Sequence, residues 1–148
     1  MATRSTSPMT RTPVQVVALI FGVVFLLVGV LGFVPGITTG DGLALAGPHS
    51  GAMLLGLFHV SVLHNIVHLL FGVAGLLAAR TAPAARSYLL ISGVIYAVLV
   101  VYGLLVPSDS AANFVPVNGA DNALHVVLAV AMLAAGLALG RGAARVRR

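Results

Sequence analysis

Four long apolar runs in a chain of 148 residues constrain the fold of this protein more than any other feature. They cover residues 14–34, 52–79, 87–106 and 121–140, each close to or longer than the ~20 residues a helix needs to cross a bilayer. Hydrophobic residues make up 59% of the chain and charged ones 7%, more apolar surface than one soluble core of this size can hide. The sequence therefore predicts an all-α polytopic membrane protein. A single four-transmembrane-helix bundle is expected over residues 14–140, with a disordered tail at 1–13 and a basic tail at 141–148.

Charge supplies the orientation. Arg4, Arg11, Arg80, Arg86, Arg141, Arg145, Arg147 and Arg148 fall at one set of helix ends, and Asp41, Asp109 and Asp121 at the other. Arginine-rich ends stay in the cytoplasm, so both termini are expected there. The net charge of +5 follows from this topology and from contact with anionic lipid, and nucleic acid is not an expected partner. The first run is longer than the ~7–15 residues of a secretory signal and lacks a small-x-small site after it, so it reads as an uncleaved span. The chain has no cysteine, lysine or glutamate. That excludes disulfides, thiolate-held metals, iron–sulfur clusters, covalent c-type haem, Schiff-base chemistry and glutamate relays.

Two of the runs carry a polar stripe: Ser61, His64, Asn65 and His68 in the second, and Asn118, Asp121, Asn122 and His125 at the start of the fourth. The stripes are 57 residues apart and share Asn-x-x-His. Val60/Val117, Val73/Val130, Ala74/Ala131 and Ala78/Ala135 match at the same shift, and runs one and three both end in Val-Pro. These matches predict two helical hairpins related as parallel repeats by an approximate two-fold axis along the membrane normal. At ~100° per residue each stripe lies on one helix face, with small residues following it, and should face the bundle interior.

Polar groups in membrane-length segments are costly, which makes each one a candidate for function. His64/His68 and Asp121/His125 are i, i+4 pairs, a chelate spacing. Together they offer three imidazoles and a carboxylate to a transition metal such as zinc, iron, nickel or copper, with Asn65 and Asn122 orienting the rings. His68 and His125 alone could instead be axial ligands of one haem b. A simpler alternative has Ser61, Asn65, Asn118 and Asn122 as interhelical hydrogen bonds, with Asp121 as a helix cap. His59 points away from His68 and should contact a loop or the headgroup layer, while Tyr88, Tyr96 and Tyr102 read as core or interface aromatics.

The stretch Leu63-His64-Asn65-Ile66-Val67-His68-Leu69-Leu70-Phe71-Gly72-Val73-Ala74-Gly75, taken with Val115-Pro116-Val117-Asn118-Gly119-Ala120-Asp121-Asn122-Ala123-Leu124-His125, resembles a family of four-helix membrane proteins, domain of unknown function 4383, common in actinobacteria. The resemblance covers nearly the whole chain apart from the tails. It implies a small multi-pass protein of the bacterial cytoplasmic membrane and no particular reaction. His64, Asn65, His68, Asp121, Asn122 and His125 are its motif positions. The expected function is a non-enzymatic membrane protein binding a metal ion or haem between spans two and four. The alternatives are an accessory subunit of a membrane complex and a proton-coupled carrier. The bilayer is the expected partner, with small residues on every span available for contacts to other membrane proteins or to a second copy.

Overall fold

The computed structural model describes residues 11–47 and 49–139; most of the N-terminal tail and all of the basic C-terminal tail lie outside the described residues. The described residues are mostly helical and form four helices: α1 Pro13–Leu31, α2 Val62–Ala78, α3 Ala82–Leu105 and α4 Gly119–Ala138. α1, α3 and α4 are long and apolar enough to cross a membrane, as befits a small membrane protein; α2 is apolar but shorter, with 17 residues.

Each helix starts where its sequence allows. Pro13 opens α1, a position where the missing N–H would be unsatisfied anyway. Ser61 caps α2 by accepting from the His64 N–H at 3.1 Å, and Thr81 caps α3 by accepting from Ala84 N–H at 3.4 Å. Asn118 caps α4, accepting from the backbone N–H groups of Ala120 at 2.8 Å and Asp121 at 3.0 Å.

The apolar run expected to span from residue 52 is divided. Its first part forms two strands of a small antiparallel sheet, β1 Thr38–Gly40, β2 Ala52–Leu54 and β3 Phe58–His59, ordered β1-β2-β3. Thr38 pairs with Leu54, and Leu54 with Phe58. The reason lies in two residues inside the run. Gly56 (φ 67°) makes the tight β2–β3 turn together with Leu55 (φ 56°), and Ser61 restarts the chain as a helix cap. The left-handed conformation costs a leucine ~1–2 kcal/mol. The second span, expected from residue 52, thus begins as a helix only at Val62, and His64 and Asn65 stand in the first turn of α2 instead of deep within a longer span.

α1 packs mainly on α2 and α3 mainly on α4, with lighter contacts between these pairs. Glycine permits the close approaches: a Cβ on Gly22 would lie 2.9 Å from the Leu76 backbone nitrogen, and one on Gly75 2.7 Å from the Gly22 Cα. Gln15 donates through Nε2 to the Ala79 carbonyl at 3.0 Å, tying the start of α1 to the end of α2. The main core gathers Val14, Ala18, Phe25, Ala85, Leu89, Tyr96 and Met132. A second cluster of Ala52, Leu54 and Val60 seats the sheet against Val28 and Leu31 in the last turn of α1.

Candidate functional site

The two polar stripes divide into three layers. Outermost are the caps. Ser61 and Asn118, at matched positions of the stripes, are both N-cap residues. Asp121, three residues after its cap, accepts at Oδ2 from the backbone N–H of Asn118 at 2.9 Å and of His59 at 3.0 Å. It thereby closes a capping box and fastens β3 onto α4. Asn118 adds a second tie, donating through Nδ2 to the Leu57 carbonyl at 2.9 Å. The His59 ring contacts the Ser50 carbonyl through Nε2, holding the loop before β2.

The second layer is a pair of asparagines set into glycine notches. Asn122 donates through Nδ2 to the Gly103 carbonyl at 3.0 Å, joining α4 to α3. A Cβ on Gly103 would overlap the Asn122 side-chain oxygen, and one on Gly32 would overlap the Asn65 amide in the same way. Asn65 is fully buried, and its side-chain amide meets no hydrogen-bond partner among the described residues.

Histidine and aromatic rings form the third layer. His64 and His68 stack with centroids 4.2 Å apart and planes 8° from parallel. The Nδ1–H of His68 donates to the His64 carbonyl at 3.0 Å, leaving Nε2 facing the Tyr96 hydroxyl at 3.5 Å. Tyr96 also meets His125, with ring centroids 5.2 Å apart. Phe25 stacks on Tyr96 at 5.6 Å and meets His68 in a T-shaped arrangement at 5.7 Å. His125 is buried, and its Nδ1 has no hydrogen-bond partner among the described residues.

The structure thus brings His68 and His125 to Tyr96, with His64 stacked on His68, and gives Asp121 a separate task at the start of α4. Among the described residues, no three His, Asp or Glu side chains are grouped closely enough to hold a metal ion. Parallel stacking of His64 on His68 differs from the splayed rings with which an i, i+4 pair chelates one ion. Tyr96 touches both imidazoles proposed for haem, so a porphyrin between them would have to displace it.

Sequence reasoning assigns no part in the site to Phe25, Gly32 or Gly103, and it reads Tyr96 only as a core or interface aromatic. A signal for them exists: a shift of 71 residues superposes Gly22 on Gly93, Phe25 on Tyr96 and Gly32 on Gly103. It is separate from the shift of 57 that relates the stripes, because the connecting segments differ in length.

No curated protein and no solved structure matches the chain. One family profile does, described as Domain of unknown function (DUF4383), over residues 15–138, a match that includes all four helices except the first two residues of α1. With that extent of match, and with both Asn-x-x-His motifs inside it, the chain belongs to the DUF4383 family.

Proposed function

We propose that this is a non-enzymatic accessory protein of the bacterial cytoplasmic membrane, in which the buried His, Asn and Asp side chains fix a four-span bundle and its outer sheet in one arrangement. The carrying observation is the Asp121 carboxylate, which accepts from the backbones of both Asn118 and His59 and so is spent on holding the molecule together. In this reading both termini are cytoplasmic, the arginines mark the inner ends, and the aspartates, the sheet and the loops lie on the outer side.

Two parallel hairpin repeats, α1–α2 and α3–α4, belong to the same proposal. Support comes from burial. Val14, Ala18, Gly22 and Phe25 are buried in α1, and Ala85, Leu89, Gly93 and Tyr96 are their counterparts in α3. His64, His68, Gly72 and Gly75 likewise correspond to Asp121, His125, Ala129 and Met132. Phe25 stacked on Tyr96 would then mark the pseudo-two-fold axis. The test is purification with His64→Ala, His68→Ala, Asp121→Ala and His125→Ala variants. Each should lose thermal stability or binding to partner membrane proteins while metal and haem content stays at zero. Wild-type protein carrying a stoichiometric metal or a Soret band would remove the reading.

A second reading keeps the cluster as a transition-metal site built from His64, His68 and His125 with help from Asp121, or as a haem b site on His68 and His125. The observation in its favour is the unpartnered Nδ1 of buried His125, a nitrogen free to ligate. It requires the His64–His68 stack to open and Tyr96 to move. Elemental analysis and an absorption spectrum of the purified protein distinguish it from the first reading.

A further inference from the structure

α2 is the shortest of the four helices, and the segment before it is apolar yet not helical. Ala52, Met53, Leu54, Leu55, Leu57, Phe58 and Val60 fold as a hairpin that ends on the Ser61 cap. Half of that hairpin is accounted for, since Ala52, Leu54 and Val60 are buried against α1. The tip is not: Leu55 is 68% exposed and Leu57 52%. Leu55 also holds a left-handed conformation that asparagine, aspartate or glycine would adopt more readily. In water this would be the wrong residue at the wrong place on both counts.

Depth supplies the missing reason. From exposed Arg86 to Leu105, α3 extends ~28 Å at ~1.5 Å per residue, close to the ~30 Å of a bilayer's hydrocarbon core. The lipid boundary at the aspartate end therefore lies near Leu104 and Leu105, which are 72% and 76% exposed. Asn122 meets Gly103 there, so Asp121 stands at the level of those leucines and Asn118 about one helical turn beyond Asn122. They in turn hold His59 and Leu57. The sheet packs on Val28 as well as Leu31, reaching about a turn below the end of α1. β2 is hydrogen-bonded to strands on both sides, which satisfies the backbone of the central strand as a non-aqueous setting demands.

The geometry points to the Leu55-Gly56-Leu57 turn as a lipid-inserted tip that buries its leucines among the acyl chains of the outer leaflet and so completes the membrane crossing that α2 leaves short. Lipid is favoured over a protein partner because the tip is continuous in level with Leu104 and Leu105 on the bundle wall and carries no charge.

The chain has no cysteine, so a single nitroxide can be placed without altering other residues. Leu55→Cys and Leu57→Cys are labelled in the full chain, in vesicles of phosphatidylethanolamine and phosphatidylglycerol. Val98→Cys, on the exposed middle of α3, is the lipid reference, and Asp109→Cys, on an exposed loop, the water reference. Oxygen should relax the Leu55 and Leu57 labels several-fold more effectively than a water-soluble nickel chelate, as at Val98. Nickel access equal to that at Asp109 would overturn the proposal. Protection from both reagents in native membranes would also overturn it, since it would mean a protein covers the tip. Should Leu55→Cys fail to fold, the Leu57 label decides alone.

Discussion

The side chain of Asn122 occupies the space that any residue larger than glycine would need at position 103, and it donates to the Gly103 carbonyl at 3.0 Å. This contact joins α3 to α4 at one end, as Gly93 against Leu133 and Arg86 on the Gly136 carbonyl join them farther along. Gly103→Ala should cost about 1–3 kcal/mol, because the new methyl collides with the amide and breaks its hydrogen bond. In the Gly103→Ala/Asn122→Ala double variant the collision is gone. A thermal-unfolding double-mutant cycle should therefore give a total cost well below the sum of the single ones. Strict additivity would mean that the two residues do not share a site.

Gly22, in α1 against α2, and Gly119, at the start of α4, differ in what they face. A methyl on Gly22 meets backbone atoms of Gly75 and Leu76, which cannot rotate away, whereas one on Gly119 meets nothing within 4 Å. Gly22→Ala is expected to lower stability by about 1–3 kcal/mol, and Gly119→Ala to leave it unchanged or slightly raised. Melting curves in one detergent would show the contrast; equal effects would contradict the packing.

Asp121→Ala removes the acceptor for two backbone N–H groups and should destabilise the protein by about 2–3 kcal/mol. Because one of those groups belongs to His59, the loss should also be local. Amide exchange ought to accelerate at residues 52–60 more than in the middle of α3. Uniform acceleration would indicate that Asp121 caps α4 without clamping the sheet.

At the centre of the bundle, Phe25→Ala should cost about 3–5 kcal/mol, since its ring packs on Phe21, Phe71, Tyr96 and His68. Tyr96→Phe should cost at most about 1 kcal/mol, because the hydroxyl meets His68 at a long 3.5 Å. The order of these two variants in an unfolding assay checks that the layer is held by ring packing more than by its hydroxyl.

Helices α1, α3 and α4 were legible in the sequence because uninterrupted apolar runs between arginines and prolines leave few alternatives in a membrane setting. The start of α2 was not. Hydropathy counts Leu55, Leu57 and Phe58 as helix material, and the turn depends on Gly56 and Ser61, two small residues inside a strongly apolar stretch. The stripes were found from spacing, and their matched positions Ser61 and Asn118 proved to be caps. Spacing could not show that Asp121 faces the His59 backbone, because that contact bridges segments 62 residues apart. Tyr96 reads from the sequence as a core or interface aromatic, and its pairing with Phe25 shows only at a shift of 71 residues, apart from the shift of 57 that relates the stripes.

The account stands most directly on whether the histidine cluster holds a ligand or only the helices. The unfolding midpoint of chelator-treated protein, followed as zinc is added, measures this. A site filled at about 100 times its dissociation constant would stabilise the fold by ~2.7 kcal/mol, or several degrees. The structural account predicts no shift, with wild-type and His64→Ala protein equally indifferent to zinc. A rise of several degrees in the wild type that disappears in His64→Ala and His125→Ala would contradict it.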